Sequence, residues 1–225
     1  WKTNRRIVVI ESDDWGSIRM PSLEIYQEFI RQGLRLKDSD YNRFDTLESN
    51  EDLLQLYDVL SSYSDYQGNH PVITANMVVG NPDFKKIIDY DFKEYYFESV
   101  IDTLNRYHGR DQVVSLWLDG NAKGFFHPQF HGREHVNVER WMNALRLRTP
   151  EIMFTFSHNT TFSGEGDYNF MEVLDFTSRD ELSGMKESLH EGLDLFEDIF
   201  GYRSLSFTPP CYTWDSELER ILYSK

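Results

Sequence analysis

The stretch RIVVIESDDWG, Arg6 to Gly16, decides the reading of the fold. Ile7, Val8, Val9 and Ile10 are consecutive and mostly β-branched, the pattern of a strand covered on both faces, so Arg6 to Ser12 is expected to be such a strand. It runs straight into Asp13 and Asp14. Downstream of it, Ser22 can cap a helix whose Leu23, Tyr26 and Ile30 share one face and which Gly33 can end. Ser49 with Asp52 forms a shortened capping box ahead of Leu53, Leu56, Tyr57 and Leu60. A second strand is expected at Pro71 to Val79, a helix at Tyr95 to Tyr107 stopped by Gly109, and a third strand at Val113 to Leu118. Asn137 can cap a helix through Trp141 and Leu145, and Ile152 to Ser157 returns to strand character. Ser178 with Glu181 opens an amphipathic helix from Leu182 to Phe200 that ends at Gly201. Leu205 to Thr208 reads as a short strand stopped by Pro209 and Pro210, and Asp215 to Leu222 as a last helix. Alternating strand and helix implies an α/β fold, a parallel sheet or barrel, in a single domain over residues 1–225 with a polar excursion at about 35–68.

Composition narrows the function classes. The 225 residues are 40% hydrophobic and 15% aromatic, enough for a sizeable core. A formal net charge of −15 argues against nucleic acid or an anionic membrane face as the main partner. The one cysteine, Cys211, excludes an intramolecular disulfide. No apolar run approaches the roughly 20 residues of a membrane-spanning helix. The chain opens at Trp1 and closes at Lys225 after a helix-like run, so it reads as a fragment. The compartment stays open, with bacterial cytoplasm and cell envelope both compatible.

In parallel α/β folds, functional side chains gather at the carboxyl ends of strands. Asp13 and Asp14 follow an apolar strand, where charge is costly unless a cation, hydrogen bonds or water compensates it. One of the two can ligate a metal while the other takes a proton from activated water; an isolated Asp-Asp pair is also a common solvated turn. His127, His131 and His135 recur every four residues, so either neighbouring pair can bring two imidazoles to one cation. Imidazole with carboxylate suits a divalent metal, zinc first, with cobalt, nickel or iron also accommodated. His131-Gly132-Arg133-Glu134-His135 is not the His-Glu-x-x-His pattern of zinc proteases. There is no G-x-S-x-G elbow, no phosphate-binding loop and no complete dinucleotide fingerprint, Gly164-Glu165-Gly166 lacking its third glycine. Cys211 is expected to be packing and Asn159-Thr160-Thr161 a chance sequon. Among the tryptophans, Trp15 and Trp214 lie beside the candidate loops and can stack on sugar rings.

Three segments taken in order, Ile7 to Asp14, His131 to His135, and Ser206-Phe207-Thr208-Pro209-Pro210, resemble the first three motifs of the NodB-homology polysaccharide deacetylases of carbohydrate esterase family 4. The run Asp13-Asp14-Trp15-Gly16 also resembles the Asp-Asp-Phe-Gly of the related chitooligosaccharide deacetylases. The resemblance spans most of the chain, at short motifs. It implies a distorted (β/α) barrel, incomplete in this fragment, and a metal-dependent hydrolase that removes acetyl groups from a glycan. It makes Asp13 the general base, Asp14 the carboxylate ligand, and His131 and His135 the imidazole ligands, with His127 as alternate. Trp15, Pro209, Pro210, Tyr212 and Trp214 become substrate-binding residues. The family's third motif usually opens on an arginine that orients the base; Thr208 stands there, and Arg203 is the guanidinium nearby in sequence. Its later motifs are absent from residues 1–225. Two other readings stay open: a glycan-binding relative without catalysis, and a metal-dependent amidohydrolase acting on a non-sugar amide.

Overall fold

The computed structural model describes the chain apart from Trp1, Arg5, Arg35, Lys37, Asp38, Ser39, Ser163, Glu165 and Lys225, and for Asp167 and Ser224 it describes the backbone alone. The start of the predicted excursion, at 35 and 37–39, and Glu165 of the rejected glycine motif therefore lie outside the described residues. Among the described residues there are five strands: β1 (Glu11–Trp15), β2 (Ile73–Val78), β3 (Gly80–Pro82), β4 (Phe97–Ser99) and β5 (Phe126–Gly132). β1, β2 and β5 form a parallel sheet with β2 in the centre, and β3 pairs with β4 antiparallel. Residues 205–208 join the sheet through one parallel bridge, Phe130 to Phe207. The class is mixed α/β with a small parallel sheet, helices supplying the long connections.

Several helices form where their caps predict them. The Ser22 hydroxyl accepts from the Ile25 N–H at the start of Leu23–Arg31, and Ser49 and Asp52 cap Asn50–Ser61 reciprocally. Asn137 caps Val138–Leu147; Ser178 and Glu181 box the short turn that leads into Leu182–Phe200, which Gly201 ends. This last helix lies on β5. Gly192 permits the approach, because a Cβ there would sit 2.8 Å from the Phe130 ring. Phe130, Phe196, Trp117 and Met77 are fully buried in the resulting core.

Other predicted elements are overturned. Val113 to Leu118 is not a strand but the start of the helix Val113–Lys123, which buries Val113, Trp117 and Gly120 on one face and ends at Gly124 in the left-handed region. Ile152 to Phe156 of the predicted strand is likewise helical, within Pro150–Phe156, with Thr149 as N-cap, Pro150 in the first turn and Ser157 as C-cap. Both runs are short and apolar, where period alone does not separate strand from helix. The third parallel strand is instead the histidine-bearing segment Phe126–Gly132. Of the predicted helix at 95–107, residues Phe97–Ser99 form β4 and only Val100–Leu104 coil. The excursion contains a further helix, Asp40–Phe44. The apolar run of the opening motif is also corrected: pairing begins at Glu11, and Val8 and Val9 are 85% and 69% exposed. β1 is an edge strand whose register with β2 starts at Thr74, so the residues ahead of it meet little of the core.

Candidate metal centre

Two irregularities in the sheet build the site. Along β1, Ser12 faces Ala75 and Trp15 faces Met77, so Asp13 and Asp14 together oppose Asn76 alone. Along β5, Phe130 faces Met77 and Gly132 faces Val78, which leaves His131 as an extra residue. A bulge breaks the strict alternation of side chains and re-aims those within it. Both bulges flank the carboxyl end of the same central strand. Asp14 adopts a φ of +69°, a conformation that aspartate tolerates better than most side chains. Gly16, two residues on, has a φ of +79°, and its N–H donates to Glu48 while its carbonyl accepts from the Asn81 amide.

Asp14 Oδ1 lies 3.2 Å from His131 Nε2 and 3.0 Å from His135 Nε2. The oxygen is buried and makes no hydrogen bond in the geometry of an N–H donor. Ligand atoms about 2.0 to 2.2 Å from one divalent ion stand about 2.8 to 3.6 Å apart for angles between about 90° and tetrahedral, and the two separations seen here fall inside that range. Asp14, His131 and His135 can therefore hold a metal ion. Beyond β5 the chain loops back to bring His135 beside His131, while the intervening Arg133 and Glu134 turn away. Glu134 pairs with Arg133 at 2.5 Å and accepts from Ser188; Arg133 also pairs with Glu191 and stacks over Phe97.

The surroundings fix the chemical state of each group. His131 Nδ1 is 2.6 Å from the Thr208 carbonyl, which can only accept, so Nδ1 carries the proton and Nε2 presents a lone pair. Burial lowers the pKa of His135, with Arg19 and His131 acting the same way against the opposing carboxylate of Asp14. For Asp14 burial opposes ionisation, but the adjoining His135 and His131 and the Arg19 guanidinium outweigh it and keep the carboxyl well below the usual range. Arg19, itself 4% exposed, takes the other oxygen, Oδ2, at 3.0 Å and shares its fork with Asp45 at 3.0 Å. Asp45 is pushed up to about 7, mainly by burial.

Glu48 stands behind the aspartate loop and is also pushed up to about 7 by burial, from an ordinary 4.5. The folded protein therefore keeps this proton across a range where the unfolded chain has lost it. Its contribution to stability is full below about pH 4.5, declines up to about pH 7 and is flat above that. Glu48→Gln retains an acceptor for the Gly16 N–H and cannot ionise. It is expected to stabilise the protein at pH 8 by about 2 to 3 kcal/mol relative to wild type and to leave pH 4 stability nearly unchanged. Urea unfolding at the two pH values measures the difference.

The remaining candidates separate. Asp13 is exposed and accepts from the Asn76 amide at 2.6 Å. His127, the alternate ligand, does not join the cluster: four residues of extended chain, about 13 Å, separate it from His131, and it lies against the Gln129 amide and stacks on Tyr202. Trp15 packs edge-on against Phe126 at 5.0 Å. Pro209 and Trp214 border an apolar groove of about 400 Å³ with Phe207, Leu218 and Tyr223. Pro210 is buried, whereas Tyr212 is 73% and Trp214 55% exposed. Cys211 is exposed rather than packed, in a loop where it and Tyr212 both take positive φ. Arg203 is exposed and, among the described residues, forms no ion pair with Asp13. Thr160 and Thr161 of the sequon are buried and donate to the carbonyls of Arg19 and Ile18, which secures the aspartate loop.

Sequence reading missed Arg19, Asn76 and Gln129. The Gln129 carbonyl oxygen accepts the N–H groups of Leu205 and Ser206 at 2.8 Å each and so sets Thr208 beside His131. Polar residues in the middle of apolar strands were the available signal for Asn76 and Gln129. Comparison with family models, curated proteins and solved structures finds no match to this chain.

Proposed function

We propose that this chain is a metal-dependent hydrolase that removes N- or O-acetyl groups from a glycan, in the manner of the NodB-homology deacetylases that its motifs resemble, and that its sheet belongs to a distorted (β/α) barrel. The observation that carries the reading is the meeting of Asp14 Oδ1 with two imidazole nitrogens at 3.0 and 3.2 Å, with a second carboxylate, Asp13, in the same bulge. Zinc is the metal that best suits two neutral imidazoles and one carboxylate oxygen. When bound, such a cation supplies Lewis-acid polarisation of an acyl carbonyl and lowers the pKa of water.

The protein's own residues supply the rest. Arg19 occupies Asp14 Oδ2 and so leaves one oxygen for the cation, and the Thr208 carbonyl sets the His131 tautomer. Asp13, open to solvent, is the group available to accept a proton. The exposed faces of Tyr212 and Trp214 suit stacking against pyranose rings. With a net charge of −15, neutral or amine-bearing sugars are favoured over polyanionic ones. Among the described residues no helix is long and apolar enough to cross a membrane.

The test is acetate release from N- and O-acetylated oligosaccharides by the zinc-loaded protein. Activity should disappear with a chelator and return with zinc. Asp13→Asn should lower kcat by about 10² to 10⁴-fold, the usual worth of a general base, while zinc still binds. Zinc-loaded protein that is inert on every acetylated saccharide, amide and ester would overturn the proposal. Release from simple amides without release from saccharides would move it to a non-sugar substrate.

A further inference from the structure

We propose that Asn76 is the positioning residue for Asp13, a neutral amide that holds the carboxylate in place from the central strand. The inference rests on the hydrolase reading above and adds a residue to it. Asn76 is 1% exposed in the middle of β2, where an uncompensated amide is costly. Its Nδ2 donates to Asp13 Oδ1 at 2.6 Å. A carboxylate cannot donate, so the nitrogen and not the oxygen of the amide faces it.

The arrangement of neighbours strengthens the assignment. The same nitrogen is 3.5 Å from Thr208 Oγ1, and the Thr208 carbonyl in turn holds His131. Asn76 thus joins the candidate base to the support of a candidate ligand. Among the described residues no guanidinium pairs with Asp13. Arg19 is committed to Asp14 and Asp45, and Arg203 pairs with neither aspartate of the bulge among the described residues. Because Asn76 pairs with Gln129 and its neighbours Ala75 and Met77 pair on both sides, while Asp13 lies in an exposed bulge of an edge strand, the partner held in the central strand orients the exposed one. Oδ1 is occupied by the amide, which leaves Oδ2 to receive a proton. A neutral donor does this without placing a second full positive charge beside the Asp14 cluster.

The experiment compares wild type with Asn76→Ala, each alone and combined with Asp13→Asn, reading zinc affinity by calorimetry, kcat and KM on an acetylated oligosaccharide, and the Asp13 side chain in crystals. Asn76→Leu, of similar size and without a donor, replaces the alanine variant if that variant melts below assay temperature. A positioning role predicts kcat lower by about 10- to 100-fold, as for other partners of catalytic groups. KM and zinc affinity should stay within about twofold, Asp13 should adopt more than one orientation, and no further loss should appear in the Asp13→Asn background. A kcat within twofold of wild type would overturn it, as would zinc affinity falling in step with kcat, or losses that add to those of Asp13→Asn. Should wild type itself lack activity, the hydrolase reading fails on its own, and the crystal measurement still decides about Asn76: an Asp13 carboxylate unmoved in Asn76→Ala refutes the role.

Discussion

Asp14→Ala is expected to weaken zinc binding on the order of a thousandfold and to destabilise the metal-free protein as well. Asp14 contributes one oxygen to the imidazole pair and the other to Arg19. Removing it deletes the only carboxylate of the cluster and leaves a buried guanidinium with a single partner. Breaking a buried ion pair from one side costs about 3 to 5 kcal/mol. Asp45 softens that cost, because its carboxyl is raised by burial and also by the charge of Asp14 and ionises more readily once Asp14 is gone. A net loss of about 2 to 3 kcal/mol follows for the apo form. His135→Ala should remove zinc binding comparably, and His127→Ala should leave it unchanged. Calorimetric titration of the three variants, with chemical denaturation of each apo form, gives the answer. Equal weakening by His127→Ala and His135→Ala would show that the cluster is not the binding site.

Gly16→Ala carries the second large effect. An added Cβ would lie 2.5 Å from the Val78 carbonyl oxygen and 2.9 Å from a Val100 methyl, at a φ of +79°. The first of these neighbours is backbone of the central strand and does not swing aside. The left-handed conformation costs an L residue about 1 to 2 kcal/mol, and overpacking adds about 1 to 3. A combined loss of about 3 to 4 kcal/mol would lower the melting temperature by about 10 °C in a domain of this size. The aspartate bulge ends at this glycine, so zinc affinity should fall with it. Differential scanning calorimetry checks the first claim and zinc titration of the folded variant the second. A melting temperature within 2 °C of wild type would mean that the loop has room the geometry denies.

Caps and stops were the most legible part of the fold. Ser22, Ser49 with Asp52, Asn137, Ser178 with Glu181 and Gly201 all act where their spacing indicates, because a cap is a bond between residues two to four apart. Short apolar runs were the least legible. Val113 to Leu118 and Ile152 to Phe156 are helical because each presents one face to a core assembled from distant segments. Ile7 to Ile10, the most strand-like run by composition, lies largely outside the paired sheet. The residues of the candidate site were visible as types and spacings, Asp13-Asp14 and the histidine series, but spacing did not choose between His127 and His135 as the companion of His131, and only the family resemblance favoured the later pair.

What the sequence determined by itself is local: which residues can cap, stop, ligate or accept a proton, and at what separation along the chain. Tertiary structure alone decided which of them meet. A bulge is a property of two paired strands, so nothing in β1 or β5 read singly announces that two residues will oppose one. Yet the two bulges beside β2 turn Asp14 and His131 toward each other, bring Asp13 to Asn76, and leave His127 on regular strand, directed elsewhere.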